Sequence, residues 1–443
     1  MSKQDLIALV YDLQRKIQTL QQENQRLIDR LHPPKKPRFP FLSLTRRPKP
    51  PGQKPGHPGV TRATPTKIDR VVEQTLTDCP DCHTRLGPSI AVTKHLQEDL
   101  IPARVEVTCF KRHRYYCRRC QSVLTAPYAP EEIPHSYLGP QVLTQAILLK
   151  YVHGLPFNKI RVCFQQMGGL TISEGAFPQA LQRVARWLGV ETQELLASIR
   201  ASPAAHVDET GWKVTGVNHW LWAFVTEKLA YYRIDRSRGS LVPKEVLGER
   251  YKGIVVSDFY SAYNRLNVRQ QKCWVHLLRE MRTCAATDLS EEYRTAHRML
   301  KRIFRDARRL ARTRSQLPAA TVLRRHRLLE ERLLAWGAAP YQSAALRRLS
   351  ARILKHHHQL LTFLKVQGLP WENNQAERLI RPNVILRNRS YQSRSPQGAA
   401  THARLMGLVQ TLTLQGRSVG ETLKTAYLRH RHGDFTPVVL SSR

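Results

Sequence analysis

The chain has 443 residues, a length that fits about three domains. Its 71 lysines and arginines outnumber its 34 aspartates and glutamates, so the formal net charge is +37 and a polyanion such as nucleic acid is the first partner to consider. The hydrophobic content of 41% excludes a disordered basic tail, no apolar run approaches the roughly 18 residues of a membrane span, and eight unevenly spaced cysteines are too few for a disulfide scaffold.

Residues 1–31 form the first predicted segment, a leucine zipper-like coiled coil with a charged start that is unlike a signal peptide. Apolar residues recur in alternating steps of four and three, with leucine at the d positions and Val10, Ile17, Asn24 and Leu31 at the a positions. This combination favours a parallel two-stranded coil, so we expect a homodimer or higher oligomer. An amphipathic helix packed on its own protein is the alternative.

The next segment, 32–68, is a basic linker that holds ten of the 27 prolines and no acidic residue. Proline favours an extended chain, so we expect an exposed arm. Two roles stay open for this arm: contact with a phosphate backbone, or a soluble spacer.

Two Cys-x-x-Cys pairs separated by 34 residues mark a predicted zinc-binding domain at 69–125. Four thiolates at such spacing can surround one structural zinc ion, although free structural cysteines are the alternative. The long interval favours a zinc ribbon with a strand-rich insert. The predicted zinc ligands are Cys79, Cys82, Cys117 and Cys120. The residues predicted to contact DNA phosphates here are Arg112, Arg114, Arg118 and Arg119.

The segment 126–200 has a helical pattern. One helix is predicted from Gly139 to Tyr151, a second ends at Met167, and a third, with Ser173 as its N-cap, runs toward Trp187. Helix, glycine turn and helix are compatible with a helix-turn-helix DNA reader and equally with a plain helical scaffold.

The pattern changes to strands in 201–284. Short turns between the first three strands predict an antiparallel meander, and a helix then leads to a short apolar strand of the kind buried on both faces of a sheet. The first strand is predicted to begin at His206. The other strands are predicted at His219–Thr226, Leu229–Ile234 and Gly253–Asp258, and the helix at Ser240–Leu247. This order matches the start of a ribonuclease H-like fold.

Asp208 and Asp258 come to neighbouring strands if the buried strand pairs in parallel with an earlier one. Two carboxylates at such a short distance repel each other unless a cation lies between them. Mg²⁺ prefers hard oxygen ligands of this kind. A third carboxylate would complete a two-metal site for in-line phosphoryl displacement. The best candidate is Glu377, which we expect in the first turns of a short helix capped by two asparagines, with Glu372 as its rival.

The sequence resembles the insertion-sequence-66 family of transposases over nearly its whole length. The motifs that carry the resemblance, besides the zipper and the cysteine pairs, are Pro51–Gly59, Lys150–Pro156, D-E-T-G-W at 208–212, Ser257–Asp258, Cys273–His276 and N-N-x-x-E-R at 373–378. One departure is Glu372, which stands where the family usually has aspartate.

The resemblance implies a DDE-type transposase with Asp208, Asp258 and Glu377 as its acidic triad and magnesium or manganese as its cofactor. Its substrates would be the double-stranded ends of an insertion sequence and target DNA, met near the nucleoid in a bacterial cytoplasm. Small accessory proteins encoded by the same element are further expected partners, and no membrane is expected.

The expected mechanism has two steps. Activated water cuts a phosphodiester and frees a 3′-hydroxyl, and this hydroxyl then attacks target DNA. His276, Arg279 and Arg378 are possible accessory residues that stabilise phosphate or the leaving group, as is Glu372; a buried structural role is the alternative for His276. The alternative functions are a metal-dependent nuclease without strand transfer and a DNA-binding regulator or inactive remnant.

The fold class predicted for the chain is therefore α/β, a ribonuclease H-like catalytic core preceded by the coiled coil, the zinc-binding module and a helical, DNA-binding-like region. A helical insertion rich in arginine divides the core, and a basic tail follows it. The remaining predicted boundaries are 201–284 for the first part of the core, 285–365 for the insertion, 366–423 for the second part and 424–443 for the tail.

Overall fold

The computed structural model describes residues 16, 19–20, 66–68, 70–78, 80–88, 91, 97, 104–134, 136–284 and 290–440. The chain divides into two compact units, Met1–Asp99 and Leu100–Arg443. Nearly all of the predicted coiled coil and of the proline-rich linker lies outside the described residues, so both stay predictions.

The described part of the first unit contains a small turn around the second cysteine of the C-P-D-C motif. Asp78 and Arg85 form an antiparallel bridge, and the Leu86 N–H donates to the Thr77 carbonyl at 2.9 Å. Cys82 lies inside this turn, with Sγ 3.5 Å from Oγ1 of Thr84.

The second unit begins with a β-hairpin and continues with helices before its main sheet. The strands are β1 (Arg114–Cys117), β2 (Ser122–Thr125), β3 (Ala204–Val214), β4 (Val217–Val225), β5 (Ala230–Asp235), β6 (Ile254–Ser257) and β7 (Arg269–Lys272). The α-helices are α1 (Pro140–Ile147), α2 (Phe157–Gly168), α3 (Ala176–Trp187), α4 (Gly189–Ala201), α5 (Leu241–Leu247), α6 (Trp274–Cys284), α7 (Glu291–Thr313), α8 (Ala319–Ala338), α9 (Ala344–Leu360), α10 (Asn374–Ser390), α11 (Pro396–Leu414) and α12 (Val419–Arg431).

The main sheet has five strands in the order β5-β4-β3-β6-β7. The first three are antiparallel neighbours, whereas β6 pairs in parallel with both β3 and β7. The predicted meander and the predicted parallel pairing are therefore confirmed. The fifth strand, β7, was not predicted.

Strand β4 shows why the sheet has a core on each face. Successive side chains of a strand point to opposite faces. Accordingly Leu221, Ala223 and Val225 join one apolar cluster with α10, α11 and α12, whereas Trp222 and Phe224 join another with α4 and α5. A third cluster lies mainly among α6, α7, α8 and α9, of which the last three fall within the predicted arginine-rich insertion.

The helices before the sheet follow the prediction with three differences, one of which is the additional helix α4. The first helix ends in a π-helical turn, Leu148–Val152, and the third begins at Ala176 after Gly175. The expected N-cap, Ser173, is therefore wrong: its backbone carbonyl accepts from the Ala176 N–H at 3.2 Å, so it belongs to the turn before the helix. Whether α2 and α3 read DNA stays a prediction.

Among the helices of the described residues, none combines the length and the apolar character needed to cross a membrane.

Candidate active site

Two aspartates come to the same edge of the main sheet through the register of β3 and β6. His206 lies opposite Val256 in this parallel pair. Asp208 and Asp258 each follow two residues later, so they emerge at the same end of neighbouring strands. Asp208 is still within β3, whereas Asp258 directly follows β6.

Asn373 ties the start of α10 to the strand that carries Asp208. Its buried side chain donates from Nδ2 to the Val207 carbonyl at 2.9 Å, and its Oδ1 lies 3.0 Å from Nδ1 of His206. The expected capping hydrogen bond is absent at this helix end, because the amide is used for these contacts. Glu377 therefore lies in the first turn of α10, beside β3, and α10 is a long helix of 17 residues and not the short one expected.

Asp208 is affected electrostatically by both of the other predicted carboxylates. Burial, followed by the charges of Glu209, Asp258 and Glu377, raises the pKa of Asp208 to about 8. The backbone N–H of Glu209 donates to Oδ1 of Asp208 at 2.9 Å and opposes this shift. Residues that are remote along the chain thus share one electrostatic neighbourhood.

Two basic side chains of α6 face the third carboxylate. Nε2 of His276 lies 3.4 Å from Oε1 of Glu377, and Nη2 of Arg279 lies 3.7 Å from Oε2. Oε1 of Glu377 and Nδ1 of His276 are both buried and have no hydrogen-bond partner. Glu377 therefore lies between the imidazole of His276 and the guanidinium of Arg279, and it keeps an oxygen that could accept a further ligand.

The donor set suits a hard divalent cation. Among the described residues, no three histidine, cysteine or acidic side chains converge closely enough to hold one ion by themselves. Mg²⁺ does not require such a cage, because proteins usually bind it through one or two carboxylates, water and substrate phosphates. The mutually repelling carboxylates around Asp208 and the unpartnered oxygen of Glu377 fit that kind of site.

The sequence analysis missed Glu209, the neighbour of Asp208. Its side chain is only 2% exposed and accepts from Arg238, with Nη2 at 2.9 Å, and from the hydroxyl of Tyr263. Burial, with a contribution from Asp258, raises its pKa. The signal was present in the D-E-T-G-W motif, where a second carboxylate follows the first.

Lys272 is a buried cation that the sequence did not reveal as part of this site. Its Nζ donates to Oγ of Ser257 at 3.1 Å and to the carbonyl of Asp258 at 2.9 Å. Burial lowers its pKa to about 8, and the charge of Asp258 opposes that shift. Lys272 thereby anchors the chain where β6 gives way to Asp258.

The two remaining predicted accessory residues differ in their exposure. Arg378 is exposed on α10, and Glu372 is half-buried just before that helix. Burial lowers the pKa of His206 to about 4. The hydrogen bond to Oδ1 of Asn373 opposes this shift, and the charge of Arg378 adds to it.

Only part of the predicted zinc site can be described. Cys79 lies outside the described residues and Cys82 belongs to the first unit. In the second unit Cys117 ends β1, and the Cys120 N–H lies 3.5 Å from its Sγ and lowers the pKa of the Cys117 thiol.

The arginines predicted to contact DNA near this hairpin differ in their surroundings. The guanidinium of Arg112 lies 3.8 Å from the ring of Tyr128, with Nε 4.0 Å from Oε1 of Glu132. Arg114, Arg118 and Arg119 are exposed. Their role toward DNA stays a prediction.

The family described as "Transposase IS66 family" matches residues 135–401, which is more than half of the chain and includes all three carboxylates. The chain belongs to the IS66 family of transposases. The resemblance found in the motifs is thereby confirmed.

This IS66-family chain is also similar to proteins of Sinorhizobium fredii (strain NBRC 101917 / NGR234). Uncharacterized protein y4qI is 24% identical over 387 residues, which cover 79% of this chain and 70% of the relative. Uncharacterized protein y4jD is 26% identical over 385 residues, which cover 79% of this chain and 74% of the relative. Their names state no activity.

Proposed function

We propose that this IS66-family transposase cuts phosphodiester bonds at the ends of an insertion sequence and joins the freed 3′-hydroxyl to target DNA. The observation that carries the proposal is the electrostatic coupling of Asp208 to Asp258 and Glu377. Carboxylates near two neighbouring strand ends and in the first turn of a helix, two of which act electrostatically on Asp208, suit phosphoryl transfer in a strongly basic protein better than a surface role.

The sheet supports a ribonuclease H-like core. Three antiparallel strands are followed by a helix and then by two parallel strands on the far side of the first. This order places Asp208 on the first strand and Asp258 after the fourth, as the sequence predicted for that fold. The carboxylate-bearing helix α10 follows the helical insertion.

Asp208, Asp258 and Glu377 would hold magnesium or manganese. When bound, a divalent cation lowers the pKa of an attacking water or hydroxyl and neutralises charge on the phosphate. His276 and Arg279 hold the Glu377 side chain from α6, while Asn373 holds the start of its helix against β3. Lys272 holds the backbone of Asp258. The protein's own contribution is thus to fix three carboxylates that would otherwise repel.

The modules before the core complete the proposal. The four cysteines of the two Cys-x-x-Cys pairs would bind one structural zinc ion, and the neighbouring arginines would contact DNA phosphates. The coiled coil would join two copies, so light scattering should give a monomer when residues 1–31 are removed from the full chain. Accessory proteins encoded by the element and DNA of the bacterial nucleoid are the further proposed partners.

A DNA assay with the purified full-length chain tests this function. Magnesium is added to duplexes that carry the element's ends, some of them already cut to expose the 3′-hydroxyl. We expect cleavage and joined products from the wild type, neither from Asp208→Asn, and both from Asp434→Asn, which changes an exposed aspartate of the C-terminal segment.

Two results would replace the proposal. Cleavage without any joined product would indicate a nuclease without strand transfer. DNA binding with no cleavage by any form, including the wild type, would indicate a DNA-binding regulator or an inactive remnant.

A further inference from the structure

Arg238, in the loop between β5 and α5, is held rigidly from several sides. Its Nε and Nη2 donate to Oε1 of Glu209 at 3.1 and 2.9 Å. Its guanidinium carbon lies 4.2 Å from the ring centre of Trp220 and 4.1 Å from that of Tyr260, whose hydroxyl donates to the Arg238 carbonyl at 3.0 Å. An arginine fixed in this way loses little conformational freedom when it binds a ligand.

The same arginine keeps binding capacity on its solvent side. Its side chain is 42% exposed, whereas that of its partner Glu209 is 2% exposed. Within the described part of the chain, Nη1 has no acceptor, since only Nε and Nη2 donate to Glu209. Glu209 also accepts from the buried hydroxyl of Tyr263, so the carboxylate does not depend on Arg238 alone.

Arg238 is connected to the candidate active site through Tyr260 and Glu209. The backbone N–H of Tyr260 donates to Oδ1 of Asp258 at 2.8 Å, while the ring of the same residue stacks on Arg238. Glu209, which Arg238 contacts directly, is the residue after Asp208, and its backbone N–H donates to Oδ1 of Asp208 at 2.9 Å. The guanidinium therefore contacts Glu209 directly and is linked to Asp258 through Tyr260.

We propose that Arg238 binds a backbone phosphate of the DNA strand that enters the carboxylate site. This inference rests on the proposed function, because that function brings DNA to the site. A phosphate that approaches several carboxylates is repelled, and a fixed cation with outward N–H donors offsets the repulsion. The planar guanidinium fork matches phosphate oxygens, and it is already oriented by Glu209, Trp220 and Tyr260.

The neighbouring Arg236 provides a matched control. It lies in the same loop and is exposed, so Arg236→Gln removes the same charge. A purely electrostatic contribution to DNA binding would respond to both changes alike, whereas a contact with one phosphate would respond in a position-dependent way only to Arg238→Gln.

The test measures binding of end-sequence duplexes in which one phosphate at a time is replaced by an uncharged methylphosphonate. All proteins carry Asp208→Asn so that the DNA stays intact. We expect Arg238→Gln to weaken binding of the unmodified duplex by about 10- to 100-fold, the range for hydrogen bonds to a charged group. One methylphosphonate position should weaken the parent and Arg236→Gln but leave Arg238→Gln unchanged.

The opposite pattern overturns the inference: every position that weakens the parent weakens Arg238→Gln by the same factor. If Arg238→Gln does not fold, the test uses Arg238→Lys, which keeps the charge but loses the planar fork. The methylphosphonate at that same position should then weaken binding by Arg238→Lys less than it weakens binding by the parent. If the phosphate pattern is found but the wild type never cleaves DNA, the proposed function is refuted and the role of Arg238 is not. Cleavage without the pattern would refute the role of Arg238 alone.

Discussion

Replacing Asn373 by alanine should both destabilise the protein and displace Glu377. The amide is fully buried and satisfies the Val207 carbonyl and the ring nitrogen of His206. Alanine leaves two buried polar groups without partners, each at about 1–3 kcal/mol, so the free energy of unfolding should fall by about 2–6 kcal/mol. Activity should fall by about 100-fold as well, because a displacement near 1 Å can cost that much in catalysis.

Asn383 is a matched control in the same helix. It is also fully buried, donates to the Leu379 carbonyl at 3.2 Å and has Oδ1 2.8 Å from Nε2 of His402. Asn383→Ala thus removes the same two kinds of hydrogen bond away from the carboxylates. Urea denaturation should give similar losses for both variants, and DNA cleavage under conditions where both are folded should fall only for Asn373→Ala. Equal losses of activity, or a stability loss below about 1 kcal/mol for Asn373→Ala, would refute the reasoning.

Three further predictions concern other parts of the chain. The folded-state pKa of Asp208, about 8, lies above its unfolded value of about 3.9. The contribution of the protonated Asp208 to stability is therefore lost as the pH rises between these two values. In the presence of a chelator, the urea midpoint of the wild type should fall more between about pH 5 and 8 than the midpoint of Asp208→Asn. Gly253→Ala would place a Cβ 2.5 Å from a backbone carbonyl oxygen, so the free energy of unfolding, measured by thermal denaturation, should fall by about 1–3 kcal/mol. Gly189→Ala, where the added Cβ meets open space, should lower it less. Cys117→Ser should abolish the zinc bound per chain in metal analysis, while Cys109→Ser should keep it; equal zinc in both would remove the assignment.

Much of the sheet could be predicted because its strands follow simple patterns. Strand β4 alternates between two apolar cores, and β6 is a short run of buried residues, so both were recognisable from the sequence. Strand β7 has the sequence Arg-Gln-Gln-Lys, which predicts exposure, yet Gln270, Gln271 and Lys272 are buried. Their polar groups bond to distant segments, as when Gln271 donates to the Leu360 carbonyl at 3.3 Å, and sequence patterns do not reveal such partners.

The candidate site likewise has residues that the sequence could predict and residues that it could not. Asp208, Asp258 and Glu377 could be proposed because carboxylates beside strand and helix ends have a recognisable context and a family resemblance. The supporting side chains depend on tertiary contacts. Asn373 has the sequence position of a helix cap but bonds to β3, and Arg238 is brought to Glu209 from another strand's loop.

The most direct test of a single metal-dependent site is a manganese titration followed by calorimetry on the wild type and on Asp208→Asn, Asp258→Asn and Glu377→Gln. The account predicts one class of binding event that all three substitutions weaken. If the three variants bound manganese as the wild type does, or if each lost a different and independent event, the carboxylates would not form one site.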